Sequence, residues 1–147
     1  MTRPTTIPEQ KAALRKELRA MLRALPLEVR AERSARLIEI LESLELWREA
    51  QSVMLFSPLP DEPDIAPLIE RALAEGKAVC LPRHDVETAT YFPARITGVA
   101  GDLARSHLGL LEPSAHCAAH PGKQLDLTLV PGLGFTQDGW RLGRGKG

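Results

Sequence analysis

The sequence predicts an α/β fold in which helices cover a mostly parallel sheet. Short apolar runs at residues 52–56 and 78–81 predict two buried strands, and a helical pattern occupies residues 65–75 between them. Such a strand, helix, strand unit normally places its two strands side by side and parallel. A further apolar run at residues 127–130 predicts another buried strand of the same sheet.

Two helices are expected before the first strand. Thr6 can cap the first helix, Pro8 suits its first turn, and Glu9 can complete a capping box. Apolar residues at helical spacing then form one stripe that ends before Pro26. The stripe consists of Leu14, Leu18, Met21, Leu22 and Leu25. A second helix is expected at residues 27–44. Its inward positions should be Leu37, Ile38, Leu41 and Leu44.

We expect residues 1–147 to form a single domain, and the remaining local signals fit this expectation. Gly76 fits the C-cap of the helix between the two strands, and Pro82 is expected to end the second strand. We expect an edge strand at residues 89–95 and a loop-rich segment at residues 101–124.

Composition and charge exclude several classes of protein. The 147 residues are 44% apolar, which is enough for a core without metals or disulfide bonds. Lysine plus arginine equals aspartate plus glutamate at 19 each, and aromatic residues make up 4%, which argues against a nucleic-acid partner. The longest apolar runs are far shorter than the roughly 20 residues that cross a bilayer. We expect a cytoplasmic monomer with no membrane partner, and we expect Cys80 and Cys117 to be reduced.

A glycine-rich basic segment follows the last predicted strand, at residues 131–147. Alternating glycines let a backbone approach a ligand closely, and Arg141, Arg144 and Lys146 supply the positive charge that a polyphosphate requires. The glycine spacing fits neither a Walker A loop nor a dinucleotide fingerprint. Taken alone, the segment is equally compatible with a flexible basic tail.

Four cations lie four residues apart on the first predicted helix. A helix would align Lys11, Arg15, Arg19 and Arg23 on one side, where a phosphate could lie along them. A solvated helix face is the alternative interpretation of the same pattern.

An acidic segment, residues 61–64, follows the first strand and precedes a helix. Open α/β sheets bind ligands at this position, outside the carboxyl ends of their strands. A carboxylate here could bind a polar heterocycle, and Glu62 is the candidate. Helix capping by Asp61 or Asp64 is the alternative and needs no ligand.

A zinc site at His116, Cys117 and His120 is not expected. The two histidines have the spacing of a helical pair, but no glutamate stands in the HExxH position and no third ligand is evident nearby in the sequence. Surface histidines are the preferred interpretation.

Together, three motifs resemble the 5-formyltetrahydrofolate cyclo-ligase family, also called methenyltetrahydrofolate synthetase. They are KAALR at residues 11–15, DE at residues 61–62, and LDLTLVPGLGF at residues 125–135 leading into RLGRGKG at residues 141–147. The last motif is the specific one. Residues 76–83 and the GLLEP segment at residues 109–113 are lesser matches.

The resemblance implies a Rossmann-like three-layer sandwich and ATP- and magnesium-dependent cyclisation of 5-formyltetrahydrofolate to 5,10-methenyltetrahydrofolate, with release of ADP and phosphate. In the mechanism proposed for the family, the formyl oxygen attacks the γ-phosphate and N10 then attacks the phosphorylated intermediate as phosphate leaves. The small-molecule partners are thus ATP and the folate.

The resemblance also implies roles for individual residues. The ATP-binding positions would be Lys11, Arg15, Arg141, Leu142, Gly143, Arg144, Gly145, Lys146 and Gly147. The substrate-binding positions would be Ser57, Glu62, Arg144, Gly145, Lys146 and Gly147. Arg144 and Lys146 would act in catalysis by offsetting charge on the γ-phosphoryl group.

The sequence departs from the family pattern at its end. After Gly147 that pattern calls for two tyrosines and an aspartate that serves magnesium, so no metal ligand is assigned within residues 1–147. We expect the family fold to be incomplete at the C-terminal side. An inactive fragment that retains a nucleotide- or folate-binding pocket is therefore the alternative function.

Overall fold

The computed structural model describes residues 6–106 and 109–145 of the chain. The helices are α1 (Ile7–Ala24), α2 (Leu27–Ser43), α3 (Glu45–Glu49), α4 (Ala66–Ala74) and α5 (Val99–Asp102), with a 3₁₀ turn at Gly122–Gln124. The strands are β1 (Ser52–Met54), β2 (Ala78–Asp85), β3 (Thr90–Ile96), β4 (Leu103–Arg105), β5 (Leu111–Pro113), β6 (Leu127–Thr128), β7 (Gly134–Phe135) and β8 (Arg141–Leu142).

The central sheet has the strand order β3-β2-β1-β6. Strand β1 is parallel to both β2 and β6, whereas β3 pairs antiparallel with β2 at one edge. The predicted strand, helix, strand unit is confirmed, with α4 connecting β1 to β2. Two small antiparallel pairs, β4 with β5 and β7 with β8, lie outside this sheet.

The hydrophobic core lies between the sheet and helices α2, α3 and α4. Val53, Val79 and Leu81 of the sheet are fully buried, and Leu68 of α4 and Trp47 of α3 pack in the same cluster. Burial of side chains of this size is the main favourable term in folding. No helix in the described ranges is both long and apolar enough to cross a membrane.

The predicted start of α1 is confirmed. Thr6 accepts a hydrogen bond from the backbone N–H of Glu9, and the Glu9 carboxylate accepts one from the Thr6 backbone, which completes a capping box. The predicted C-cap of α4 is also confirmed, because Gly76 follows that helix with a φ of 79°, in the left-handed region that favours glycine.

Burial of the N-terminal helices differs from the expectation. The apolar stripe of α1 is only half-buried at Leu18, Leu22 and Leu25, and Leu14 and Met21 are exposed. Leu44 is also exposed, because α2 ends at Ser43 and the chain turns into α3 there. Helical spacing therefore predicted the helices correctly but overestimated how much of their apolar surface is covered.

Two strands also differ from the expectation. Strand β2 continues through Pro82 to Asp85, because beyond Cys80 it pairs only with β3 and a residue without an N–H is tolerated there. Strand β6 is half-buried instead of buried, since it lies at the edge of the described sheet.

Asp126 joins β6 to the start of β1. Its Oδ2 accepts hydrogen bonds of 2.9 Å from the backbone N–H groups of Gln51 and Ser52 and from the Ser52 hydroxyl. These donors, Ser52 first, hold the pKa of the Asp126 carboxyl below its usual value of 3.8. A lowered folded-state pKa means that the contribution to stability is present above the usual pKa and is lost as pH falls through the folded value.

We expect Asp126→Asn to lower the free energy of unfolding near neutral pH, because the amide keeps an acceptor but loses the charge. The difference from the wild type should shrink as pH falls below about 3.8. Urea unfolding across this pH range measures it, with Asp138→Asn in an exposed turn as the matched control. A difference that does not change with pH would contradict the assigned role.

Candidate active site

The candidate site lies at the carboxyl ends of the parallel strands. The loop after β1, residues 55–65, and the segment after β6, residues 131–145, both leave the sheet at this edge. Open α/β sheets bind their ligands in this position because the loops there diverge and leave a crevice.

The predicted glycine-rich loop contains a β-hairpin. Strands β7 and β8 pair antiparallel, and the backbone N–H of Leu133 donates to the carbonyl of Leu142 at 2.8 Å. Gly139 has a φ of 92° in the turn between the strands. The segment is therefore a shaped hairpin, and the tail interpretation is wrong for residues 131–145.

Arg144 connects the hairpin to the loop after β1. Its terminal nitrogens donate to the two oxygens of Asp61 at 3.1 and 2.7 Å, and its Nε donates to Glu62 Oε1 at 2.9 Å. The second Glu62 oxygen accepts the backbone N–H of Leu59 at 2.9 Å. One guanidinium thus bonds two neighbouring carboxylates, and it keeps two N–H groups that these bonds do not use.

This bridge shifts the ionisation of its members. The hydrogen bonds from Arg144 lower the pKa of Asp61, although partial burial opposes the shift, and the charge of Arg23 also contributes. Burial acts against the charged form of Arg144, but Asp61 and Glu62 more than offset it and raise the pKa of Arg144. Asp61 and Arg144 are therefore both charged at neutral pH.

The cations of α1 lie against the same hairpin exit. Arg15 Nε donates to the carbonyl of Gly143 at 2.9 Å, and Arg19 donates to the carbonyl of Arg144 at 3.0 Å. Lys11 lies exposed one turn earlier. The solvated-face interpretation is therefore wrong for Arg15 and Arg19, which bind the loop that resembles the ATP-binding motif.

Close packing at the hairpin exit explains one of its glycines. Gly145 has a φ of 85°, and a Cβ added there would lie 3.2 Å from the Arg15 guanidinium carbon. A side chain at this position would both strain the backbone and press on Arg15.

Arg141 donates to the carbonyl of Pro131 at 2.8 Å and so lies within the hairpin. Lys146 and Gly147 lie outside the described residues.

Two adjoining cavities open beside Ser57. One of about 150 Å³ is lined by Ser57, Glu62, Tyr91 and Glu112, among others. A second, of about 310 Å³, shares Ser57 with it and continues along the loop after β1. Ser57, which the family resemblance assigns to the substrate site, lines both cavities.

The acidic residues of the loop after β1 have roles that differ from those expected. Asp64 precedes the N-cap residue of α4, Ile65, which has no side-chain cap, and its Oδ1 accepts the backbone N–H of Ala66 at 3.0 Å. Asp61 does not cap a helix and instead binds Arg144. Sequence reasoning missed this pairing, as well as the contact of Arg19, although Arg19 belonged to the predicted cation stripe.

The histidine segment forms a separate cluster. Asp102 Oδ1 lies 2.9 Å from His116 Nε2, and Cys117 Sγ donates to the Asp102 carbonyl at 3.6 Å. The third potential ligand that the sequence lacked is therefore present in space, with ligand-type atoms within 4.8 Å of one another. His120 does not join them and lies 3.1 Å from the carbonyl of Pro121. Because the other Asp102 oxygen accepts backbone N–H groups of Thr97 and Gly98, the cluster is explained as a link between loops.

Comparison with known proteins places this arrangement in a family. The profile of the 5-formyltetrahydrofolate cyclo-ligase family matches residues 7–147. The 5-formyltetrahydrofolate cyclo-ligase of Mus musculus is 29% identical over 153 residues, which cover 97% of this chain and 72% of the mouse protein. The enzyme of the same name from Mycolicibacterium smegmatis is 30% identical over 150 residues, with 95% and 73% covered.

Solved structures agree with the sequence comparison. The NMR structure of Aquifex aeolicus 5,10-methenyltetrahydrofolate synthetase has a TM-score of 0.82 and 31% identity, covering 93% of this chain and 68% of that one. The Mycoplasma pneumoniae synthetase, at 19% identity and a TM-score of 0.69, supports the fold alone. The chain, with its mixed and mostly parallel sheet, belongs to the 5-formyltetrahydrofolate cyclo-ligase family.

Proposed function

We propose that this chain catalyses ATP-dependent cyclisation of 5-formyltetrahydrofolate to 5,10-methenyltetrahydrofolate, with release of ADP and phosphate. The observation that carries the proposal is the meeting of three elements at one sheet edge. The α1 cations, the glycine-rich hairpin and the Asp61–Glu62 loop are far apart in the sequence and are joined by direct hydrogen bonds. These are the segments that resemble the ATP and folate sites of the family.

The reaction proceeds in two steps. The formyl oxygen attacks the γ-phosphorus, the bond to the bridging oxygen of ADP breaks, and ADP leaves. N10 then attacks the activated formyl carbon and loses its proton, and the carbon–oxygen bond breaks as phosphate leaves. Little covalent chemistry is required of the protein, so its contribution is positioning and charge stabilisation.

The phosphates bind at the exit of the hairpin. Arg15 and Arg19 donate hydrogen bonds to the carbonyl oxygens of Gly143 and Arg144, and their positive charge offsets the repulsion that these oxygens would exert on a phosphate. Lys11 adds a further charge on the same helix, and the two N–H groups of Arg144 that Asp61 and Glu62 leave unused can reach a phosphoryl oxygen. Lys146 and Gly147 complete this site in the proposal.

The residues described here do not fit a magnesium site beside Arg144. The carboxylates of Asp61 and Glu62 are the acidic groups that contact it, and both are already bonded to its guanidinium. We assign no magnesium ligand to residues 6–106 and 109–145 and no step to the ion.

A cytoplasmic location is supported by Cys80 and Cys117, which are both free thiols.

The purified 147-residue chain is expected to form 5,10-methenyltetrahydrofolate from 5-formyltetrahydrofolate when ATP and magnesium are supplied. The rise of product absorbance with time measures turnover, and omission of ATP is the control. Binding of ATP or folate without product would favour the alternative of a binding fragment. Neither binding nor product from folded protein would refute the proposed function.

Arg15→Ala is expected to raise the KM for ATP by about tenfold, which corresponds to about 1.4 kcal/mol, and to change the KM for folate much less. The reason is that Arg15 holds the carbonyl of Gly143 at the hairpin exit. Steady-state kinetics measure both constants. Lys16→Ala, one residue along the same helix and exposed, should have little effect. Equal changes in both KM values would contradict an ATP-side role.

Arg144→Ala is expected to lower kcat by about a hundredfold and to weaken folate binding less, since its charge is most needed as the γ-phosphoryl group transfers. Glu62→Gln should weaken folate binding and leave ATP binding largely intact. Because Nε of Arg144 donates to Glu62, the effects of the two substitutions on kcat/KM should not add in the double variant. Arg36→Ala on exposed α2 is the control. Strict additivity would show that the bridge is not used in turnover.

A further inference from the structure

The loop after β1 carries the acidic pair of the site but has few backbone N–H groups with which to hold its own shape. Three of its residues, at positions 58, 60 and 63, are prolines, and a proline has no N–H. Few internal backbone hydrogen bonds are therefore open to this loop. Its course past the site depends on hydrogen bonds from other elements.

Helix α2 supplies such a hydrogen bond through Ser34, which is 7% exposed. The Ser34 hydroxyl donates to the carbonyl of Arg30, one turn earlier in the helix, at 2.8 Å. This bond orients the hydroxyl and leaves the lone pairs of its oxygen for the loop. The oxygen accepts the backbone N–H of Asp64 at 3.0 Å, so the far end of the acidic segment is tied to the helix.

A second contact from the same face of α2 holds the near end of the acidic segment. Arg30 precedes Ser34 by four residues, so both side chains lie on one face of the helix. The Arg30 guanidinium donates to the carbonyl of Pro60. Asp61 and Glu62 therefore lie between two positions that α2 fixes.

Apolar packing does not fill the space between the loop and α2. A cavity of about 370 Å³ lies there, and Arg30, Ser34 and Glu62 are among the residues that line it. Side chains that line a void have no packing partners on that side. The hydrogen bonds from α2 therefore supply a large share of what holds the loop in place.

The position of the loop matters because Glu62 is bonded at both of its oxygens. One oxygen accepts Nε of Arg144 and the other accepts the backbone N–H of Leu59, each at 2.9 Å. A displacement of about 1 Å would take both contacts beyond the usual hydrogen-bond range. It would also move Glu62 away from the folate that the proposed function assigns to it.

We propose that Ser34, assisted by Arg30, is a positioning residue of the site, which fixes the acidic loop and thereby the orientation of Glu62 toward the folate and Arg144. This inference rests on the proposed function. Ser34 acts through the loop and contacts neither ligand. A merely structural serine would stabilise the fold and leave the ligand affinities of the folded chain unchanged, so the two roles differ in what they do to binding.

The test measures the dissociation constants of 5-formyltetrahydrofolate and ATP by calorimetry in the wild type and in Ser34→Ala. Loss of one anchoring hydrogen bond should weaken folate binding about fivefold and change ATP binding by less than about twofold. Ser34→Thr keeps the hydroxyl, and the adjoining cavity has room for the added methyl group, so it should restore folate affinity.

Ser43→Ala is the matched control. Ser43 is exposed on the same helix, and its hydroxyl also donates to a carbonyl of α2, that of Ile40, at 2.7 Å. It should bind both ligands as the wild type does. Arg30→Ala removes the other anchor and should weaken folate binding in the same direction, so it carries the test if Ser34→Ala does not fold. Melting temperature and the number of sites per chain report the folded fraction.

A double variant shows whether Ser34 acts through Glu62. In a Glu62→Ala background there is no carboxylate to position, so Ser34→Ala should lose little further folate affinity. Full additivity of the two substitutions would overturn the inference.

The remaining outcomes separate this inference from the proposed function. Unchanged folate affinity of the anchor variants, in a chain that binds folate, would overturn the inference alone, as would equal losses for folate and ATP. Fewer sites per chain with an unchanged dissociation constant would show that Ser34 is only structural. A wild type that binds no folate would overturn the proposed function together with this inference.

Discussion

The bond between Arg144 and the Asp61–Glu62 pair is the interaction on which the site depends. A two-stranded hairpin such as β7 and β8 is marginally stable in water by itself. Here the exit of the hairpin is held by three arginines, two from α1 and Arg144 itself, each bonded to a partner more than eighty residues away. The loop after β1 and the segment after β6 are thereby joined into one surface at the sheet edge.

Local sequence signals predicted most of the secondary structure. The capping box at Thr6, the C-cap glycine at position 76 and the unit of β1, α4 and β2 depend on neighbours within a few residues, and all are confirmed. Burial was predicted less well, because it depends on what lies opposite in space. Leu44 is exposed at a helix end, and β6 is half-buried since no strand of the described sheet lies beyond it.

The components of the candidate site were visible in the sequence, but their pairing was not. The cation spacing on α1 and the glycines near Arg144 identified the right segments. The spacing of neighbouring residues cannot reveal a contact between residues 62 and 144, so the sequence assigned Glu62 to the folate without its bond to Arg144.

The charge arrangement around Arg144 explains how one surface can hold a polyanion and stay ordered. Two carboxylates fix the guanidinium, and this must weaken its attraction for phosphate because part of its charge is already compensated. Arg15, Arg19 and Arg23 lie on the adjacent face of α1, so the arginines of the site still outnumber its carboxylates. An oriented arginine needs no reorganisation when charge develops on a transferring phosphoryl group. The two carboxylates therefore weaken the attraction of Arg144 for bound ATP. They also fix the geometry of its N–H donors, and this favours the transition state over the bound substrate.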